Sequence, residues 1–190
     1  MNLPFIDNQE FKNQNYETAK LTKGEYTECT FVNCNFENSD LSNNSFLECE
    51  FIDCNLSNVN VTYTIFNDVS FRGSKLVGVQ FQNCNDFLLA FGFIDCTLNL
   101  SSFYQLKISN TKFLNCKMHR VDFTETEAKH VTFSKCDLKD AIFDASNVES
   151  SDFSTAYNFS IHPSDNKIKN STFSKENCFG LLNSFQVRIK

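Results

Sequence analysis

Residues 26–51 read YTECT FVNCN FENSD LSNNS FLECE F, and every fifth position holds a large apolar or aromatic side chain: Tyr26, Phe31, Phe36, Leu41, Phe46 and Phe51. The same beat runs back through Leu21 and Tyr16 to Phe11, and forward through Leu56, Val61, Phe66, Phe71 and Leu76 to Phe81. An α-helix brings side chains to one face every 3.6 residues and a strand every two, so a strict period of five requires a chain that turns a corner once per pentapeptide.

A second period of twenty shows how many corners close a coil. Phe11, Phe31, Phe51 and Phe71 form one column, and Phe93, Phe113, Phe133, Phe153 and Phe173 continue it once two extra residues are subtracted. Four pentapeptides therefore make one square turn. After Phe81 the phase moves by two and resumes at Leu88, which predicts an insertion within residues 82–87. The residue two before each large one is also inward and usually small, as at Ala19, Gly24, Cys29, Cys34, Ser39, Cys49 and Cys54, so two inward positions in five fill a narrow shaft. The remaining three are mostly Asn, Ser, Thr, Asp, Glu and Lys, and face solvent.

The composition of 22 Phe and 5 Tyr with no Trp fits this single positional demand. Eight of the nine cysteines, Cys29, Cys34, Cys49, Cys54, Cys84, Cys96, Cys116 and Cys136, occupy the small inward slot, where a free thiol acts as a compact hydrophobe. Pairs such as Cys29 and Cys34 face different walls, so neither metal nor cofactor binding is expected. His119 and His130 are on outward positions and His162 is in an irregular stretch near Pro163. None has a catalytic partner at a familiar spacing, no phosphate loop is present, and a filled shaft has no natural pocket, so no enzyme is expected.

Units such as SDLSN at 39–43 and VDFTE at 121–125 carry a small residue, Asp, Leu or Phe and two polar residues in order. This pattern resembles the pentapeptide-repeat family from about Ile6 to Phe173. The resemblance implies an all-β fold, a right-handed quadrilateral β-helix over residues 1–173, about 40 Å long at the usual spacing between strands. Residues 154–167 read as irregular, because Asn158 and Pro163 stand where large apolar residues are due. In residues 174–190, Cys178, Leu181, Leu182 and Phe185 recur at helical spacing behind Ser174 as N-cap, and Gln186–Lys190 alternates like a strand. A short C-terminal helix and strand are thus expected to cap the shaft.

Net charge is −6, distributed as −7 over residues 1–90 (5 Lys and Arg against 12 Asp and Glu) and +1 over 91–190 (12 against 11). Direct nucleic-acid binding would need a basic face, so it is not expected. Residues 1–10 have neither a basic nor an apolar leader segment, and no run is long enough to span a membrane, so the expected location is the cytoplasm.

The segment KIKNSTFSKENCFGLLNSFQVRIK at 167–190 resembles the C-terminus of the quinolone-resistance (Qnr-type) branch, in which a helix and strand join two rods end to end. That likeness implies a homodimer, and the apolar residues available for its interface are Phe179, Leu181, Leu182, Phe185, Val187 and Ile189. In the Qnr-type and mycobacterial members, an acidic rod resembles duplex DNA and occupies the DNA-binding surface of DNA gyrase or topoisomerase IV. Glu28, Glu48 and Asp68, twenty residues apart, would stack here as a like-charge ladder facing such a basic partner. Long loops that project from Gram-negative Qnr rods have no counterpart here beyond the two-residue insertion. The alternative is a scaffolding rod for another protein, for which Val32, Ile52, Ile94 and Leu114 would form an exposed apolar stripe just after the Phe column.

Overall fold

The computed structural model describes residues 3–185 and 187–188. Its strands are short: β1 (Phe5–Asp7), β2 (Glu10–Lys12), β3 (Glu25–Thr27), β4 (Thr30–Val32), β5 (Ser45–Leu47), β6 (Glu50–Ile52), β7 (Ile65–Asn67), β8 (Val69–Arg72), β9 (Phe91–Ile94), β10 (Lys112–Leu114) and β11 (Thr132–Ser134). They form two parallel sheets, one ordered β1-β3-β5-β7 and one ordered β2-β4-β6-β8-β9-β10-β11. Each is one wall of a quadrilateral β-helix. The other two walls are laced by isolated parallel bridges such as Asn35↔Asn55 and Asp40↔Asn60. The seven-stranded wall runs on past β11 through Thr132↔Asp152 and Asp152↔Thr172, so its seven strands and two bridged rungs make nine.

The core is a pile of rings. Phe31, Phe51, Phe71, Phe93, Phe113 and Phe133 are fully buried. Successive members stack with centroids 4.8–5.2 Å apart. Rings from adjacent walls meet edge-on, as Phe113 does with Phe103 at 79° and with Phe123 at 81°. Face-to-face offset contact along the axis and edge contact across it are the two arrangements an aromatic quadrupole favours.

The small inward slot holds a donor as well as a small volume. Cys34, Cys54, Cys116 and Cys136 each direct Sγ at the carbonyl 23 residues earlier, those of Phe11, Phe31, Phe93 and Phe113. Thr64, Thr126, Ser146 and Ser151 make the same bond with hydroxyls. Across the insertion the separation becomes 25, from Cys96 to Phe71. All nine cysteines are free thiols, and only Cys178 is not buried. Burial pushes the Cys49, Cys54 and Cys84 thiols up to about 12, far from the reactive thiolate range. We therefore expect one of nine thiols to react promptly with Ellman's reagent in the native protein and all nine after denaturation. Two or more fast native thiols would contradict the packed shaft.

Corners are made by left-handed residues. Asn33, Asn38, Asn43, Asp53 and Asn58 have φ between 51° and 58°, a conformation that Asn and Asp tolerate better than most residues.

The insertion lies later than the phase of large residues indicates. Ile65 pairs with Asn85 at an offset of twenty, whereas Val69 pairs with Phe91 at twenty-two, so the two extra residues fall between them. As a result Leu88 is not an inward residue. It is 61% exposed at φ 55°, beside Phe87 at 68%, while Phe91 fills the slot that is small elsewhere. A similar displacement occurs near the C-terminus, where Asn158 takes a left-handed corner and Phe159 and Ile161 enter the core in its place.

The C-terminal helix takes the form of two 3-10 turns, Cys178–Leu181 and Asn183–Phe185, not a continuous α-helix. Ser174 does accept the Asn177 amide through Oγ, and the Ser174 amide donates to Asn177 Oδ1 at 2.8 Å. Asn177 Nδ2 then donates to the carbonyls of Phe153 and Ala156 at 2.7 and 2.8 Å, which fastens the segment across the open end. Gly180 lies so close to the Phe159 ring and carbonyl that a Cβ would overlap both. These ties hold the turn to the shaft at a length too short for an independent α-helix. Val187 and Arg188 are irregular, and the expected terminal strand otherwise falls on residues outside those described. Replacing Asn177 with Ala would leave both carbonyls without this donor, for a cost of about 1–3 kcal/mol. At this chain length the midpoint should fall by about 3–10 °C, read by thermal circular dichroism.

Candidate protein-interaction surface

The four-stranded wall is where charge is least compensated. Parallel register aligns Phe5, Glu25, Ser45 and Ile65 in one outward column and Asp7, Thr27, Leu47 and Asn67 in another. The corner beside it carries Asn8, Glu28, Glu48 and Asp68, all left-handed, with φ from 48° to 53°. Glu28, Glu48 and Asp68 are exposed, as the sequence spacing predicts. They are joined by Asp7 and Glu25, which the spacing of twenty did not single out because they lie in different columns of the same wall.

None of these five carboxylates has a salt-bridge partner among the described residues, although acids on neighbouring walls do: Glu10 with Lys12, Asp40 with Lys23 and Glu50 with Arg72. No Lys or Arg is on this wall from β1 to β7. Glu28 and Glu48 take left-handed corners, as Tyr63, Arg120, Glu125 and Lys135 do elsewhere on the rod, so that conformation belongs to the coil and does not set these two apart. Like charges at coil spacing repel. Stacking the three acids along one edge concentrates negative potential there.

The apolar column differs from expectation. Val32, Ile52, Ile94 and Leu114 do align on the seven-stranded wall, but the register runs Lys12, Val32, Ile52, Arg72, Ile94, Leu114, Ser134. All four are half-buried, and Arg72 divides them into two pairs, so there is no continuous exposed stripe. The apolar side chains that do reach solvent are elsewhere, notably Tyr63, Phe87 and Leu88. At the C-terminal end Phe179, Leu182, Phe185 and Val187 are exposed, whereas Leu181 is half-buried against the core and Ile189 lies outside the described residues.

His119 has a partner that the sequence conceals, because it comes from the next coil. Its Nε2 is 2.7 Å from Asp137 Oδ2, and Asn158 Nδ2 donates to Asp137 Oδ1 at 2.8 Å. Partial burial opposes the Asp137 charge, but these hydrogen bonds outweigh it and hold the carboxyl below its ordinary range. The neighbouring Cys136 points into the shaft and bonds to the Phe113 carbonyl, so no nucleophile joins the pair. Among the described residues no three His, Cys, Asp or Glu side chains cluster as metal ligands do, and no helix is long and apolar enough to cross a membrane.

Comparison with known proteins agrees with the repeat. A family model for a pentapeptide repeat region matches residues 24–86, and one for pentapeptide repeats in eight copies matches 101–144 and 116–155. Among solved structures, a trypsin-treated variant of QnrB1, a plasmid-mediated fluoroquinolone resistance protein, is similar with a TM-score of 0.55 at 14% identity, covering 99% of this chain and 98% of that one. HetL, a pentapeptide repeat protein involved in heterocyst differentiation regulation from the cyanobacterium Nostoc sp. strain PCC 7120, gives 0.56 at 14% identity, covering 89% and 85%. At such identities the likeness is one of fold. No curated protein matches the sequence.

Proposed function

The chain belongs to the pentapeptide-repeat family, and from that membership we propose that it is a DNA-mimicking rod that binds a type II topoisomerase, DNA gyrase or topoisomerase IV, through its acidic wall. The observation that carries this reading is the set of five carboxylates, Asp7, Glu25, Glu28, Glu48 and Asp68, left without cations on the β1–β7 stretch of one wall. A regular acidic edge on a stiff support suits a groove built to neutralise phosphates. The shared fold with QnrB1 supports the same direction.

In this reading the rod acts without chemistry of its own. It competes with DNA for a basic channel, and a modulating effect on quinolone susceptibility follows from that competition. The exposed apolar end around Phe179, Leu182 and Phe185 joins two rods at their C-termini. Other protein partners would suit a scaffolding rod, and HetL shows that the same architecture serves regulation elsewhere. The half-buried, divided apolar column weighs against that reading here.

The test is a supercoiling assay with purified gyrase, with and without a quinolone, and a direct binding measurement across a salt titration. Association that weakens steeply with salt, together with inhibition or drug protection at micromolar protein, is expected. No effect on gyrase or on topoisomerase IV assayed alongside it, and no binding to either at low salt, would reject the proposal.

A further inference from the structure

The acidic edge ends in a notch. Along it Asn8, Glu28, Glu48 and Asp68 each take the left-handed corner, and Asn110 takes it again beyond the insertion. Between them Ala90 precedes Phe91 as Asp68 precedes its partner Val69, but Ala90 is not left-handed; Leu88 takes that conformation two residues earlier, on the exposed bulge. The corner is therefore missing for one coil. The amides of Asn8, Glu28 and Glu48 each donate to a carbonyl of the next coil at 2.9 Å, whereas that of Asp68 has no acceptor among the described residues. A cavity of about 540 Å³ opens at this point. It is lined by apolar Leu89 and Ala90, by the bare backbone of Gly92 and, around them, by Asp68, Asn110 and Lys112. Leu89 packs on the core, and Gly92 has Ser70 and Lys112 as its neighbours in the outward column, so a side chain is absent where the wall elsewhere has one.

We propose that this notch and the acidic edge leading to it dock an extended segment of a protein partner, a run of Lys or Arg followed by one bulky apolar side chain. Glu28, Glu48 and Asp68 are exposed and receive the basic run, and the apolar side chain enters the notch against Leu89, Ala90 and Gly92. Two rises of roughly 4.8 Å separate Glu28 from Asp68 and one more reaches the notch, a path that about four or five extended residues span. The unpaired Asp68 amide is available to a carbonyl of the segment. Lys112, on the other side of the notch, repels further cations, which confines the basic run to the Asp68 side. This deepens the proposed function and rests on its choice of the acidic edge as the contact. A mimic of DNA offers charge alone, and the notch adds an apolar pocket that a phosphate backbone lacks, so it selects a basic segment with an apolar end over a merely basic surface.

The test uses two amidated peptides labelled at the N-terminus, Lys-Lys-Lys-Gly-Phe and Lys-Lys-Lys-Gly-Ser, titrated against the full chain by fluorescence anisotropy at low salt. The Phe peptide should bind about tenfold more tightly, as burial of part of one ring provides. That ratio should persist as salt rises, while both affinities fall. A Gly92→Ile variant fills the notch. Chain neighbours aside, the nearest atom to a Cβ at Gly92 is the Lys112 carbonyl oxygen at 3.9 Å, an ordinary van der Waals contact, so the variant should fold as the parent does. It should bind both peptides equally, with the affinity of the parent for the Ser peptide. A Glu28→Asn, Glu48→Asn, Asp68→Asn variant should instead weaken both peptides together and leave their ratio unchanged. Equal binding of the two peptides by the parent, which needs no variant to measure, or a preference that survives Gly92→Ile, overturns the proposal. Because no topoisomerase enters these measurements, their failure leaves the supercoiling assay to decide the proposed function, and a chain that separates the peptides yet leaves gyrase and topoisomerase IV unaffected keeps the notch and loses the topoisomerase.

Discussion

Replacing Phe113 with Ala is expected to lower stability by about 3–5 kcal/mol, which is the usual range for removing a fully buried ring. Phe113 has no exposed surface. It stacks between Phe93 at 5.1 Å and Phe133 at 5.2 Å, and meets Phe103 and Phe123 edge-on. Truncation therefore removes contact in four directions and leaves a void that the closed walls cannot collapse to fill. In a solenoid each coil is supported chiefly by its neighbours, so the loss falls on the junction between the coils on either side. Urea or thermal unfolding should show it, with the transition broadening as the two halves uncouple. Phe173 is only half-buried at the capped end and stacks on one side, on Phe153 at 5.2 Å. Phe173→Ala should cost less than half as much, and equal losses at the two positions would mean that the ring column does not carry the stability assigned to it.

The second large effect is on binding. Changing Glu28, Glu48 and Asp68 together to Lys should weaken association with gyrase by about a hundredfold or more at low salt, since the reversal turns steering into repulsion. Changing the same three to Asn tests the assignment more sharply. Asn suits a left-handed corner, carries no charge, and already makes stacked side-chain ladders here, as from Asn33 Nδ2 to Asn13 Oδ1 at 2.7 Å. The Asn variant should therefore be at least as stable as the parent, by up to about 1–2 kcal/mol, while binding gyrase poorly. A stable Asn variant that binds gyrase normally would remove the acidic corner from the interface.

The locations of these effects were legible to different degrees. Phe113 could be assigned to the core from its place in two periods, because an inward position every five residues leaves a composition that no other backbone produces. The outward positions of Glu28, Glu48 and Asp68 followed from the same arithmetic. Leu88 shows where it stopped. It has the right residue type and the right phase after the insertion, yet it lies in solvent, because hydrogen bonding keeps the old register through Asn85 and the extra residues bulge out only after it. Asn158 and Phe159 differ from the repeat in the same way, by one residue.

Periodicity by itself determined the square coil, its inward and outward positions and the burial of the cysteines, since these depend only on where each residue falls in a repeat of five and twenty. Tertiary structure alone decided which coil supplies a partner eighteen or more residues away, as Asp137 does for His119, and how the two ends close. It also decided that five carboxylates share the β1–β7 stretch of one wall with no cation beside them. Those are relations between coils, and their free energy comes from distances across the stack that no local pattern encodes.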